Sequence, residues 1–277
     1  MKLFADSGST KTSWLLKAEG NILQEFETKG MNPFFISEDE IINELETHLR
    51  PDVIPHITVI HFFGAGCSSP EKVEWLESIF SNLLQNATIN IYTDIDGATK
   101  ATVSANEKSI VSILGTGSTF RIFDGENVFK KYSSLGYIIG DEGSGTHISK
   151  ALLRKVFYKQ FPANLEMAFL EYYNTTRESL IENVYSNPLP NRYLAKFTTF
   201  CSQNIHLPEI QQIILESFDS FFANHITNIP NYKDYKLHFV GSVAFHFREQ
   251  LEKTVSKYEC SMGKIVQKPI YNLVQKF

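Results

Sequence analysis

Glycines and small hydroxylated residues occur together in two short stretches of the sequence, and both stretches could bind phosphate. They are DSGST at Asp6–Thr10 and GTGST at Gly115–Thr119. A glycine lets the backbone approach an anion closely, and the amides of such a turn can donate to phosphate oxygens. Ordinary polar turns use the same residues. Lys11–Thr12 is not the end of a Walker A loop, because Phe4 stands where that motif requires its first glycine.

Acidic residues precede two of the predicted helices. Asp94 follows the predicted strand Ile89–Thr93, and Asp96 lies two residues further on. Ligands of α/β proteins bind at the carboxyl edge of the sheet, so a carboxylate here is a candidate for chemistry, although many such aspartates only cap a helix. Asp141 and Glu142 precede another predicted helix, where acidic residues are common for electrostatic reasons alone.

The elements that position these residues follow from the apolar pattern, which predicts the order βββαβαβα for the first part of the chain. The predicted strands are Lys2–Ala5, Ser13–Ala18, Ile22–Thr28, Ile57–Phe63 and Ile89–Thr93. The helices are predicted at Ser37–Arg50, where Ser37 and Glu40 have capping-box spacing, from Pro70 onward, and from Asp94 to about residue 105.

The same order then begins again. Three strands are predicted at Ser109–Leu114, Thr119–Phe123 and Val128–Tyr132, with a hairpin turn at Asp124–Asn127. After them we predict a helix at Gly145–Tyr158, a helical region over Pro162–Ile229, a strand at Leu237–Val240, a helix to about Tyr258, a strand at Lys264–Gln267 and a helix at Ile270–Phe277. The repeat predicts an internal duplication. In each copy a Gly-Ser-Thr turn joins the first two strands, and both turns are expected to face one cleft.

Composition limits the classes of function. The 277 residues suffice for two domains, and a formal net charge of −5 without a basic block argues against nucleic-acid or membrane partners. We find neither a signal peptide nor an apolar run of membrane-spanning length, and therefore expect a cytoplasmic protein. Cys67, Cys201 and Cys260 lie far apart and are expected to be reduced thiols. The eight histidines show no metal-ligand spacing.

Four stretches in this order resemble the N-acetylglucosamine kinase group of the actin, hexokinase and Hsp70 superfamily. They are DSGSTKT from Asp6, YTDIDGA from Tyr92, LGTGS from Leu114 and LGYIIGDEGSG from Leu135. GMNPF from Gly30 and FVGSV from Phe239 add to the resemblance. The same group contains ATPases that activate benzoyl-CoA reductase and 2-hydroxyglutaryl-CoA dehydratase.

The resemblance implies an α/β fold made of duplicated ribonuclease H-like (actin-like ATPase) domains. The expected domains are residues 1–106 and 107–277, with a helical insertion at about 160–230 in the second domain. The last helix is expected to return to the first domain. The oligomeric state is left open, with a homodimer as one alternative.

The resemblance also implies ATP and Mg²⁺ as cofactors. Asp6 would orient the water shell of the Mg²⁺, an ion that prefers oxygen ligands. The residues expected to bind ATP are Gly8, Ser9, Thr10 and Lys11 in the first turn, Gly115, Thr116, Gly117 and Ser118 in the second, and Gly241 and Ser242 beside the adenosine.

A sugar is the acceptor that the resemblance implies. Asn32 and Asp141 would bind sugar hydroxyls, and Gly66 and Gly136 would let the sugar approach the backbone. Kinases of this group often carry a tryptophan before the glycine that matches Gly136, and this chain has Leu135 there. That difference leaves the sugar open between N-acetylglucosamine and a relative such as N-acetylmuramic acid.

By the same resemblance, Asp94 is the general base that takes the proton of the acceptor hydroxyl. The family pattern, an asparagine or threonine before the catalytic aspartate, matches Thr93-Asp94. Asp96 remains the rival. Two other functions are weighed against an amino-sugar kinase. One is a dehydratase-activating ATPase, which needs closely placed cysteines for an iron–sulfur cluster. The other is an actin- or chaperone-like ATPase without a small acceptor.

Overall fold

Two five-stranded sheets organise the computed structural model, which describes residues 1–126, 128–132 and 134–277, with the backbone alone described for 128–132. The strands of the first sheet are β1 (Lys2–Ser7), β2 (Lys11–Ala18), β3 (Asn21–Lys29), β4 (Val59–Gly64) and β5 (Thr88–Thr93). Those of the second are β6 (Ser109–Leu114), β7 (Ser118–Phe123), β8 (Val128–Tyr132), β9 (Lys236–Val240) and β10 (Ser261–Val266). The predicted α/β fold is confirmed.

Helices separate the parallel strands. Those that lie around the first sheet are α1 (Glu38–His48), α2 (Pro70–Leu83) and α3 (Asp94–Thr102). The longer stretch between β8 and β9 contains α4 (Gly136–Ile139), α5 (Gly145–Phe157), α6 (Ala163–Tyr173), α7 (Arg177–Ser186), α8 (Pro190–Ala195), α9 (Thr198–Gln203) and α10 (Pro208–Phe221). The remaining helices are α11 (Ser242–His246), α12 (Arg248–Lys257) and α13 (Ile270–Leu273).

Both sheets have the same arrangement of strands. The first runs β3-β2-β1-β4-β5, and the second, taken from its other edge, runs β8-β7-β6-β9-β10. In each, the first three strands of the chain pair antiparallel and the last two pair parallel. Because parallel strands need a crossover connection, a helix follows each strand on that side.

The chain divides into two compact units. Residues 1–103 and 268–277 form the first unit, and residues 104–267 form the second. Side chains alternate between the two faces of a strand. One face of the first sheet packs on α1 and α2 through residues such as Trp14, Leu45 and Phe80. The other face packs on α13 through Phe4 and Leu15.

Phenylalanine dominates the core of the second unit. We predicted a core role, rather than a cofactor site, for five residues of the helical region, and all five are buried: Phe197, Phe200, Phe218, Phe221 and Phe222. A π-helical turn, Phe222–Ile226, continues α10. Within the described residues, no helix is both long enough and apolar enough to cross a membrane.

Three element predictions need correction. The helix predicted after β9 is two helices, α11 and α12, which meet at Phe247. The last strand begins at Ser261 rather than Lys264, and α13 ends at Leu273 rather than Phe277. The predicted hairpin turn Asp124–Asn127 includes Asn127, which lies outside the described residues.

Candidate active site

The first glycine turn joins β1 to β2 and is held from behind by a second glycine. Gly8 N donates to Lys11 O over 3.0 Å, and Gly30 N donates to Thr10 O over 2.9 Å. A Cβ atom on Gly30 would lie 2.5 Å from Gly8 O, closer than any side chain fits. The GMNPF stretch therefore packs directly on the turn that was predicted to bind phosphate.

Two buried hydroxyls strengthen this junction. The Ser7 and Thr12 oxygens lie 2.9 Å apart, and Met31 N donates to Ser7 Oγ over 3.0 Å. Thr12 Oγ1 also donates to Lys29 O. Ser7 and Thr12 are fully buried, so these bonds form away from water, where an unmade bond is costly. Sequence reasoning missed Ser7 and Gly30.

Two carboxylates of the first unit influence each other. Asp6 lies on β1 and Asp94 begins α3. Burial, and then the charge of Asp94, raise the pKa of Asp6 to about 7. Two acidic groups held close together in a partly dry site favour a divalent cation, because its charge removes their repulsion.

Asp96, the rival candidate base, is committed to a helix cap. Thr93 is the N-cap of α3, and its hydroxyl accepts from Asp96 N over 3.2 Å. The Asp96 carboxylate in turn accepts from Thr93 N over 3.1 Å and from Thr93 Oγ1 over 2.6 Å. This is a complete capping box. Thr93 and Asp96 thus supply the N-cap of α3, while Asp94 Oδ1 accepts from the neighbouring Ile95 N over 2.8 Å.

The predicted sugar residues of the first unit meet. A Cβ atom on Gly66 would lie 2.4 Å from Asn32 Oδ1, and Gly66 has φ +84°. Asn32 Oδ1 accepts from Phe34 N over 3.0 Å, which fixes the direction of its amide group. Cys67 is buried nearby, and burial and Asp94 raise its pKa to about 12. Its thiol is therefore inert at neutral pH.

Lys11 is placed differently from the prediction for the phosphate turn. It is the first residue of β2, and its Nζ lies 3.0 Å from Glu27 Oε1 on β3. Lys268 Nζ lies 2.8 Å from the same oxygen. Hydrogen bonds from Lys268 and Lys11 lower the pKa of Glu27.

In the second glycine turn, Leu114 pairs with Ser118 across three residues, whereas in the first turn Ser7 pairs with Thr12 across four. Residues 115–117 join β6 to β7, and Gly115 N donates to Gly117 O over 3.0 Å. Ser118 and Thr119 already belong to β7, so the predicted Gly-Ser-Thr turn is wrong for this copy. Gly8 matches Gly115, the first residue after the strand, rather than Gly117.

The carbonyl groups of this second turn bond to α5. Gly145 N donates to Gly115 O over 2.8 Å, and Thr146 N donates to Thr116 O over 3.1 Å. The first amides of a helix lack partners within the helix. Here the amides of Gly145 and Thr146 hold the second turn so that its carbonyl groups face the start of α5.

Asp141 lies against the second turn. One of its oxygens accepts from Ser118 N over 3.3 Å and from the Ser134 hydroxyl, and a Cβ atom on Gly117 would lie 2.7 Å from the other oxygen. Asp141 has φ +55°, a left-handed conformation that few non-glycine residues adopt. The structure thus brings a predicted sugar residue beside predicted ATP residues. Ser134 was missed, because a serine in an apolar loop carries no distinctive pattern.

Three other predicted residues lie near this loop or near β6. Gly136 begins α4 with φ +79°, and its amide donates to Ser134 Oγ over 2.9 Å. Gly241 has φ +112°, and a Cβ atom there would lie 2.5 Å from Leu114 O. Ser242 begins α11 directly after Gly241.

Comparison with solved structures gives the family. No family model matches the chain. The structure of a proposed N-acetylglucosamine kinase from Porphyromonas gingivalis is 38% identical, covers 99% of this chain and 98% of its own, and superimposes with a TM-score of 0.92. The chain belongs to the N-acetylglucosamine kinase family. The predicted resemblance is confirmed, and so is the prediction of a sugar kinase.

More distant members of the same fold extend this comparison. A proposed N-acetylglucosamine kinase from Chromobacterium violaceum is 16% identical, with 99% and 97% of the two chains covered and a TM-score of 0.71. A ROK family glucokinase from Streptomyces griseus, solved with glucose and AMPPNP, is 10% identical, with 99% and 98% covered and a TM-score of 0.61. These two likenesses show that the fold is shared.

Proposed function

We propose that this sugar kinase transfers a phosphoryl group from ATP to a hydroxyl of an N-acetylated amino sugar, N-acetylglucosamine or a close relative. The observation that carries the proposal is the pair Asp6 and Asp94 beside the first glycine turn, with Asp96 occupied by its cap. We further propose that the two sheets arose by duplication and that the helices between β8 and β9 are an insertion in the second copy. Their equal strand orders support this.

In the proposed mechanism, the two turns bind the phosphates. Backbone amides within residues 8–11 and 115–118 would donate to phosphate oxygens, those of Gly8, Gly115 and Ser118 after exchanging their bonds to Lys11 O, Gly117 O and Asp141 Oδ1. The hydroxyls of Ser9, Thr10, Thr116 and Ser118 would add further donors. Gly241 and Ser242 would lie against the adenosine. Lys11 would reach the phosphates after exchanging its bond to Glu27.

Mg²⁺ fits the acidic pair. Within the described residues, no cluster of three or more metal-ligating side chains exists. Mg²⁺ in kinases needs no such cluster, because it takes one or two carboxylates together with substrate phosphates and water. Burial and the charge of Asp94 raise the pKa of Asp6, and a bound cation would oppose both effects. We propose that Asp6 holds the ion through water, where the ion would neutralise charge on the transferred group.

The predicted sugar residues would bind the acceptor. These are Asn32 and Asp141, with the backbone at Gly66 and Gly136. Asp94 would accept the proton of the attacking hydroxyl, since phosphoryl transfer otherwise depends on positioning and charge stabilisation. We propose that the protein acts in the cytoplasm. Whether it is a homodimer stays a prediction.

A screen of ATP consumption tests the proposal. ADP release would be measured with N-acetylglucosamine, N-acetylmannosamine, N-acetylmuramic acid and glucose as acceptors. We expect one N-acetylated sugar to give the highest kcat/KM and a phosphorylated product visible by mass spectrometry. ATP hydrolysis that no sugar stimulates would overturn the proposal and favour the dehydratase-activator type of ATPase.

Gly115→Ala tests the ATP turn separately. A Cβ atom on Gly115 meets no atom within 4 Å, so the variant should fold with unchanged or slightly higher stability. If phosphate approaches this backbone, the added methyl group blocks it, and calorimetry should show Mg·ATP affinity reduced about tenfold or more. Equal affinity in variant and wild type would contradict the assignment. Gly117→Val is less informative, because it would also displace Asp141.

A further inference from the structure

The loop that carries Asp141 lies outside the helices, and within it Ser144 N donates to Asp141 O over 3.1 Å. Asp141 and Gly143 are both left-handed, with φ +55° and +76°, and Glu142 stands between them. No regular hydrogen-bonded element includes these residues, which lie between α4 and α5. A loop with this backbone keeps one conformation only when surrounding contacts hold it.

One face of α10 and its π-helical extension supplies such contacts. Ser217, Phe221 and His225 follow each other at intervals of four residues. Ser217 Oγ lies 2.7 Å from His147 Nδ1 on α5. A Cβ atom on Gly143 would lie 3.1 Å from Phe221 Cβ. These two contacts fix the loop's C-terminal side.

The third contact, from His225, is made to Glu142 in the loop itself. His225 Nε2 lies 2.9 Å from Glu142 Oε2. Burial opposes the charge of Glu142, but the hydrogen bond from His225 lowers its pKa, so it is ionised and can only accept. His225 Nε2 therefore donates. The pair is largely buried, with side-chain exposures of 26% and 17%, which strengthens a charge-assisted bond.

The π-helical turn explains how His225 reaches Glu142. Thr227 N donates to Phe222 O over 3.0 Å, the i to i+5 bond of a π-helix. Each residue of the wider π-helix turns less than the roughly 100° of an α-helix. Over four residues the shorter rotation brings His225 back toward the face of Ser217 and Phe221. Without the π-helical turn, His225 would be rotated away from Glu142.

We propose that the π-helical turn Phe222–Ile226 makes His225 a positioning residue for the sugar site, which holds Glu142 and so keeps Asp141 in place. The role of Asp141 rests on the proposed function. His225 itself touches no substrate. The second glycine turn has further support besides Asp141, from the amides of Gly145 and Thr146. Loss of the His225 bond should therefore affect the sugar more than ATP.

Two variants of His225 separate the bond from general packing. His225→Gln keeps an N–H donor at similar reach, whereas His225→Leu keeps bulk and loses the donor. Hydrogen exchange of the peptide over residues 140–147 should be about tenfold faster in His225→Leu and near wild type in His225→Gln. Equal exchange in all three proteins would overturn the proposal. This measurement needs no substrate.

Kinetics complete the test. His225→Leu should raise the KM for the sugar about tenfold, with kcat and the KM for ATP changed by about twofold or less, and His225→Gln should restore the KM. Glu142→Ala should give the same loss, and the double variant should lose no more. An additive double variant, or a KM for ATP that rises equally, would overturn the proposal.

The two proposals fail in different ways. If the wild type phosphorylates no sugar while hydrogen exchange follows the pattern above, the role of His225 in holding the loop is supported and the proposed function is wrong. If the wild type phosphorylates a sugar but exchange is the same in all variants, the kinase stands and the role of His225 fails. Glu142→Ala keeps the test decisive should His225→Leu not fold.

Discussion

Asp6 and Asp94 are the two residues for which we propose a direct role in the reaction, and burial of the charged Asp6 lowers the stability of the protein. The Asp6 carboxyl is held partly protonated near neutral pH by burial and by the charge of Asp94. Such perturbed groups are common at functional sites. Two substitutions address the pair directly.

The first prediction assigns the base. Asp94→Asn keeps the size of the side chain and removes the proton acceptor, so kcat should fall about 10²–10⁴-fold while ATP affinity changes little. Asp96→Asn is the matched control. It weakens the capping box and should cost about 1 kcal/mol of stability, with kcat near wild type. Steady-state kinetics of both variants decide the assignment, and the reverse result would make Asp96 the base.

The second prediction concerns pH. The pKa of Asp6 is raised from 3.8 to about 7 in the folded protein, so the folded state binds more protons and this group's contribution to stability is lost as pH rises from about 4 to 7. Asp6→Asn should match the wild type near pH 4 and exceed it by roughly 2–4 kcal/mol at pH 7.5. Denaturant unfolding at both pH values measures this.

The same variant should bind Mg·ATP about 10–100-fold more weakly, because an outer-shell partner of the ion is lost. Calorimetry at pH 7.5 provides that measurement. A variant that is neither more stable nor weaker in binding would contradict both the burial of the charge and its proposed use.

At the level of single residues, the sequence allowed candidate site residues to be chosen by residue type, but their contacts could not be predicted. The preference for Asp94 over Asp96 came from the family pattern, whereas the physical reason, the Thr93–Asp96 cap, was present in the spacing and unused. Ser7 and Gly30 were missed because their roles depend on partners distant in sequence. No local pattern contains such partners.

At the level of elements, the two glycine turns differ where the sequence suggested equivalence. Gly-Ser-Thr occurs in both, yet the first connection spans residues 8–10 and is followed by Lys11 in β2, while the second spans 115–117 and Ser118 begins β7. Pairing of the strands sets these limits, with Ser7 opposite Thr12 and Leu114 opposite Ser118. Register depends on how two strands pair, so two similar stretches of sequence need not have the same register.

The third prediction tests the junction behind the first turn. Gly30→Ala would place a Cβ atom 2.5 Å from Gly8 O and 2.7 Å from Ser9 O, and should destabilise the protein by about 1–3 kcal/mol. Gly8→Ala is the matched control, since its nearest contact would be an ordinary 3.6 Å to Lys11 O. Thermal unfolding of the two variants should separate them. Equal midpoints would show that the turn is not packed on residue 30.

For the whole molecule, the order of elements was predictable and the break points were not. Apolar periodicity located the ten strands of the described residues, because the sequence of each is an apolar or alternating run between turn residues. It did not locate the break at Phe247 or the π-helical turn. Both lie inside continuous helical patterns and are set by tertiary packing.

The fourth prediction concerns the core of the first unit. His61 on β4 is 8% exposed and packs against Phe277, with the ring centroids 4.2 Å apart and the rings tilted by 36°. Burial, with Lys2 and Lys100, lowers its pKa from 6.5 to about 4. The folded state therefore binds fewer protons, and stability present above pH 6.5 is lost as pH falls toward 4.

His61→Phe removes that titration. Relative to the wild type, the variant should gain about 2 kcal/mol in free energy of unfolding between pH 7 and pH 4.5. Asp6 titrates in the same range with the opposite sign, so the wild type alone should show little net slope from these two groups. A constant difference between variant and wild type at both pH values would show that His61 is not buried neutral.

The composition of the first unit from two separate segments has a consequence for synthesis on the ribosome. Ile270, Leu273 and Val274 cover Phe4, Leu15 and Phe63. The covering residues are translated after the whole second unit, and the covered ones before it. During translation of the whole second unit, the nascent first sheet must keep one apolar face uncovered. We therefore expect chains halted near residue 260 to bind chaperones that recognise apolar segments, although their second unit is almost complete.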